Sequence, residues 1–98
     1  MASILPPVHP GEVLREEYLL PLDFSAGALA KKLGVPRTRI ERLANEQSPV
    51  TTDTALRLAK YFRTSPEFWM NMQSGFDLKV EAIAKAVELD AIPEMEVA

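Results

Sequence analysis

The densest source of chemistry in this chain is a run of four side chains within six residues: Arg37, Thr38, Arg39 and Arg42. Their types suit phosphates and base edges rather than bond making. Arginine can grip guanine O6 and N7 with a two-pronged fork, worth about 1–3 kcal/mol of discrimination for a good pair. Threonine can touch a thymine methyl or a phosphate. Between Lys31 and Arg63 stand eight basic residues (Lys31, Lys32, Arg37, Arg39, Arg42, Arg57, Lys60, Arg63) against three acidic ones (Glu41, Glu46, Asp53). That stretch is net +5 in a chain of net −3, so the remainder carries −8. A split of this kind implies a basic working surface on an acidic scaffold. For charge alone, a solvated mixed-charge surface is the competing explanation.

Catalytic chemistry has little to draw on. His9 is the single histidine and there is no cysteine, which leaves no nucleophile–base pair and no ligand set for a metal. Glu16–Glu17 reads as a solvated helix face, and no glycine-rich phosphate loop is present. The expectation is a non-enzyme without cofactor or metal. The opening MASILPPVHP has neither a basic segment nor an apolar stretch, unlike a signal peptide. No apolar run approaches the roughly 18–20 residues of a membrane span. A cytoplasmic protein is expected. With 47% hydrophobic and 26% charged residues, the 98-residue chain fits one folded domain with one modest core.

The elements that must position these side chains read as helices, with almost no strand signal. A first helix starts at Pro10, carries Leu14 and Tyr18 on one face and is stopped by Pro21. Ser25 caps a second, from Ala26 to Leu33, which Gly34 ends. A third opens at Pro36 and buries Ile40 and Leu43; Gln47, Ser48 and Pro49 break it. Thr51 caps a fourth, with Ala55, Leu58, Ala59 and Phe62 apolar. Ser65 and Pro66 start a fifth, which Gly75 is expected to bend or break.

Helices two and three carry the pattern of a helix-turn-helix. Close crossing needs a small residue, supplied by Ala30; the turn needs a residue tolerant of positive φ, supplied by Gly34. With Ile40 and Leu43 inward, Arg37, Thr38, Glu41, Arg42 and Asn45 are left outward. Arg37, Thr38 and Arg42 are the expected base-contacting residues. Lys32, Arg39, Asn45 and Thr51 are the expected phosphate-contacting residues. On the fifth helix, Trp69, Met72, Phe76, Val80, Ile83 and Val87 recur at spacings of three and four. Part of that stripe must be core. A domain this small cannot hide all of it, so Trp69, Met72, Phe76, Val80 and Ile83 are expected to meet a second copy. The expected domain is residues 9–87, with flexible tails at 1–8 and 88–98.

The stretch SAGALAKKLGVPRTRIERLAN from Ser25 resembles the Xre/Cro-like, lambda-repressor-like helix-turn-helix family. Three flanking motifs, HPGEVLREEYL from His9, TTDTALRLAKYF from Thr51 and TSPEFWMNMQSGFDL from Thr64, resemble the HigA (VapI-type) antitoxins of bacterial toxin–antitoxin operons. The likeness covers about His9 to Ala82. It implies an all-α, five-helix fold and a homodimer that represses its own operon at a palindromic double-stranded DNA operator. It also implies a partner, a HigB-type mRNA-cleaving toxin. Three positions depart from the family pattern: Ala26 stands where glutamine is common, Pro36 where serine is common and Glu46 where glycine is common. Two other readings remain: a free-standing Xre-type regulator without a toxin, and an interaction module that has kept the shape without binding DNA. The basic stretch from Lys31 to Arg63 speaks against the second.

Overall fold

His9 and Pro10 set the start of the first helix in the computed structural model, which describes residues 6–96. The His9 Nδ1 accepts from the Gly11 N–H at 2.9 Å, and Pro10 occupies the first position, where no amide hydrogen is needed. This helix, α1 (Pro10–Val13), runs directly into a π-helical stretch (Leu14–Leu19). The wider register shows in the Leu20 N–H donating to the Arg15 carbonyl at 3.0 Å. The helical turns end before Pro21 is reached.

Helix α2 (Ala26–Leu33) is capped by Ser25, whose Oγ accepts from the Ala28 N–H at 3.0 Å. It ends at Gly34, with φ of 72°, a left-handed conformation that glycine adopts without steric cost. The Val35 N–H then reaches back to the Ala30 carbonyl at 3.1 Å, closing the turn. Helix α3 (Arg37–Ala44) follows Pro36, which supplies no side-chain cap. Its exit is unusual. Glu46 takes the left-handed conformation at φ 61° where glycine would be cheaper. Helix α4 (Thr52–Phe62) is capped by Thr51 and ends at Arg63, also left-handed at φ 60°. Helix α5 (Pro66–Ala84) is capped by Ser65 and passes through Gly75 without interruption. The break comes at Lys85, after which a short α6 (Ala86–Asp90) follows.

The core gathers Leu14, Leu29, Ala30, Ile40, Leu43, Ala55, Leu58 and Trp69 among the buried residues. Ala30 provides the small surface at the α2–α3 crossing. Trp69 is wholly buried, and its indole N–H donates to the Thr64 Oγ1 at 2.9 Å, so the polar atom is not lost on burial. Gln73 is the other buried residue of α5. Its Oε1 accepts from the Val50 N–H at 2.7 Å, and its Nε2 donates to Asp77 at 2.9 Å, tying the loop before α4 to α5.

The described residues contain no strand, in keeping with the expected all-α class, and the expected five helices are all present. Two expectations are corrected. Gly75 does not break α5, which stays helical through it. Glu88–Asp90, placed in a flexible tail by composition, are helical. Residues 1–5, 97 and 98 of the expected tails lie outside the described residues.

Candidate nucleic-acid interface

Ile40, Leu43 and Ala44 pin α3 to the core and thereby decide which side of it faces out. At about 3.6 residues per turn, the opposite side is centred on Thr38, Arg42 and Asn45. All three are exposed. Among the described residues Arg42 has neither an ion-pair nor a hydrogen-bond partner, so its fork is open to solvent.

Arg37 and Arg39 stand at the two margins of this face. The Arg37 Nε lies 3.5 Å from the Glu41 Oε2, one turn along. Its stem packs over α2 at Gly27, where a β-carbon would come within 2.8 Å of the Arg37 Cδ. Arg39 lies at the margin towards α4 and donates to the Asp53 Oδ2 at 2.5 Å. The same oxygen accepts from the Arg57 Nε at 3.0 Å, and the Arg57 Nη1 donates to the Leu33 carbonyl at 2.8 Å. The hydrogen bonds from Arg39 and then Arg57 hold the Asp53 carboxyl below its ordinary range.

The remaining expected contacts divide. Asn45 shares the outward face with Thr38 and Arg42. Thr51 sits at the start of α4, but its hydroxyl is occupied: it accepts from the Thr54 N–H at 3.3 Å and meets the Thr54 Oγ1 at 3.1 Å. Lys32 lies in a groove between α2 and α4 that also includes Asp53, Leu56, Arg57, Lys60 and Arg63. Lys31 instead shares a groove with Ser25, Gly27 and Arg37, beside the start of α3. Which groove each of the adjacent lysines faces is decided by helix phase. Sequence reasoning passed over the Asp53–Arg57 pair, although its spacing of four was a usable signal.

Glu46, an acid on the rim of this surface, does not stand alone. The Arg15 guanidinium donates to the Ala44 carbonyl and to the Glu46 Oε2, the latter at 3.2 Å. Hydrogen bonds to Glu16 and Glu46 raise the Arg15 pKa. Arg15 therefore closes the carbonyl end of α3 and neutralises the acid beside it, a long-range contact with no local sequence signature.

On α5 the expected dimer residues part company. Trp69 is a correction: it is fully enclosed within its own chain and offers no surface to a second copy. Met72 packs against the core and Phe76 against the His9 ring, with centroids 4.8 Å apart. Further along, Val80 is 38% exposed, Leu78 and Ile83 71% and Val87 84%. Uncovered apolar side chains thus continue along the second half of α5 into α6, besides others such as Leu20, Leu22 and Leu56 elsewhere on the surface. No helix among the described residues is long and apolar enough to cross a membrane.

With this geometry in place, comparison with known proteins agrees with it. A helix-turn-helix family profile matches residues 15–69, which span α2, α3 and α4, and the chain belongs to that family in its Xre-like form. Virulence-associated protein I of Dichelobacter nodosus is 53% identical over 76 residues, 78% of this chain and 70% of that protein. Among solved structures, the antitoxin HigA of Pseudomonas aeruginosa with the higBA promoter superposes at a TM-score of 0.88 with 38% identity, covering 93% of this chain and 99% of that one. The antitoxin GraA in complex with its operator superposes at 0.90 with 39% identity, covering 100% and 99%. HigA-type antitoxins are therefore this chain's near structural relatives.

Proposed function

We propose that this chain is a HigA-type antitoxin that binds a palindromic operator in its own promoter as a homodimer and neutralises a HigB-type toxin encoded beside it. The observation that carries the DNA arm is the outward face of α3. Thr38, Arg42 and Asn45 are presented together on a helix locked by Ile40 and Leu43, and the Arg42 fork is unpaired. Relatives of the same shape are recorded on promoter and operator DNA, which supports the same docking here. In that docking Arg42 and Thr38 meet base edges, while Asn45, Arg37, Arg39 and Lys31 meet phosphates from the margins.

A palindrome requires two recognition helices about 34 Å apart, one helical turn of DNA, and one subunit carries only one. The second half of α5 suits the pairing, with Val80 and Ile83 uncovered, Val87 following on α6, and Met72 and Phe76 at its edge. The toxin arm is supported by the kinship with HigA antitoxins. Two measurements test the reading. The dimer should bind a duplex from the promoter region upstream of its own gene at least a hundredfold more tightly than a scrambled duplex. Co-expression with the adjacent reading frame should yield a stable complex and restore growth. Equal affinity for both duplexes would end the operator reading. Selective binding with no toxin partner would leave a free-standing regulator.

A further inference from the structure

At the joint between α3 and α4, the Asp53 carboxylate serves two cations of unequal freedom. Arg57 is held twice, by the Asp53 Oδ2 at 3.0 Å and by the Leu33 carbonyl at 2.8 Å. Arg39 is held by Asp53 alone, at 2.5 Å. The pair is well exposed, at 41% for Arg39 and 54% for Asp53, where ion pairs are weak enough to exchange. If Arg39 leaves, Arg57 still neutralises Asp53, so the carboxylate is never left bare.

Non-specific binding to DNA is almost wholly a matter of free positive charge meeting phosphate. In the free protein Asp53 removes Arg39 from that pool. When bases hold α3 in one register, phosphates come to fixed places along its margins, and one can take the carboxylate's place at Arg39. We infer that Asp53 gates a DNA contact: it parks Arg39 in the free protein and gives it up to a backbone phosphate only when α3 is seated on its operator. This rests on the operator reading above.

The test compares the parent, D53N, R39A and the double variant on operator and random duplexes across a salt series, with circular dichroism as the folding control. An asparagine still accepts from Arg57, so the fold is expected to hold. D53N should steepen the salt slope on random DNA by about one unit, as one more phosphate contact does. Its gain in random-DNA affinity should then shrink about fourfold between about 50 and 200 mM salt. Operator affinity should rise by at least as large a factor with the slope unchanged, because there the parent gives up the Arg39–Asp53 pair on binding. In the R39A background the same substitution should leave the slope alone. A slope change of equal size without Arg39 would reduce the effect to long-range charge and overturn the inference, as would weaker binding of D53N to both duplexes. One arm needs no DNA. In the free protein, R39A should raise the titration midpoint of the Asp53 carboxyl measured by NMR. An unmoved midpoint would show that Arg39 is not parked there, whatever the protein binds.

Discussion

Gly11 lies directly against the carbonyl of Leu43: a β-carbon placed on Gly11 would sit 1.8 Å from that oxygen. The first turn of α1 therefore touches the backbone near the end of α3, with no side chain between. Together with the Arg15 contacts to Ala44 and Glu46, this makes α1 the buttress that holds the recognition helix from behind. Gly11→Ala should force the two backbones apart. Overpacking of this kind typically costs about 1–3 kcal/mol. A melting temperature lowered by roughly 4–8 °C per kcal/mol should follow in a domain of this size. An unchanged melt would mean that α1 does not approach α3 this closely in solution.

Arg42 and Arg37 should behave differently although both lie on α3. Arg42→Ala should cost about 1–3 kcal/mol per half-site and relax preference at one base pair. Arg37, paired with Glu41 and leaning on Gly27, should cost less when truncated and should weaken operator and random duplex alike. Titration against single-base variants of the operator separates the two. Equal loss of sequence preference from both would restore Arg37 to the base-reading face.

The two adjacent lysines give a test of helix phase. Lys31→Ala should flatten the salt slope by about one unit, while Lys32→Ala should leave it nearly unchanged. Lys31 lies beside Arg37 at the start of α3, whereas Lys32 lines the groove between α2 and α4. The reverse result would place the DNA backbone on that side of α2.

Asp53 also carries a pH signature. Its folded-state pKa is lowered by Arg39 and then Arg57, so its stabilising contribution is present above the unfolded pKa and is lost as the pH falls through the folded one. The parent should therefore be more stable than D53N at neutral pH, and the gap should close as the solution is acidified below about pH 4. Paired thermal melts across that range check the sign. A gap that widened in acid would contradict the ion-pair geometry.

Ile83→Asp should disrupt self-association without disturbing the fold, because that side chain is 71% exposed. Trp69→Ala should do the opposite and unfold the domain, a loss of about 3–5 kcal/mol for a buried aromatic. Sedimentation and circular dichroism on the two variants separate surface from core. A dimer unaffected by Ile83→Asp would move the pairing face elsewhere.

What could be read from the sequence was whatever is decided locally. Ser25, Thr51, Ser65 and Gly34 act within a turn of themselves, and each is used as its type suggests. Ile40 and Leu43 were legible because helical periodicity separates inside from outside. Periodicity alone could not say how far along α5 the core extends, so Trp69 was grouped with side chains that are genuinely uncovered. Nor could it separate Arg37 at the margin of α3 from Arg42 at the centre of its face. Arg15 on Ala44 and Gln73 on Val50 join positions 29 and 23 residues apart, and nothing in their neighbourhoods announces them. The π-helical stretch in Leu14–Leu19 likewise contains no glycine or proline to mark it.

Gln73 is the last buried residue of α5; beyond it Phe76 still meets the His9 ring, and from there the helix runs on as a rod. If that rod carries the pairing surface, it also acts as a ruler for the DNA. Each residue between Gln73 and the pairing surface adds about 1.5 Å to the reach of the arm and turns the surface by about 100°. A single inserted residue would aim the apolar stripe away from its mate, whereas about seven would return it to nearly the same azimuth roughly 10 Å further out. Operator spacing in this protein is then recorded in whole helical turns, at a place that never touches the operator.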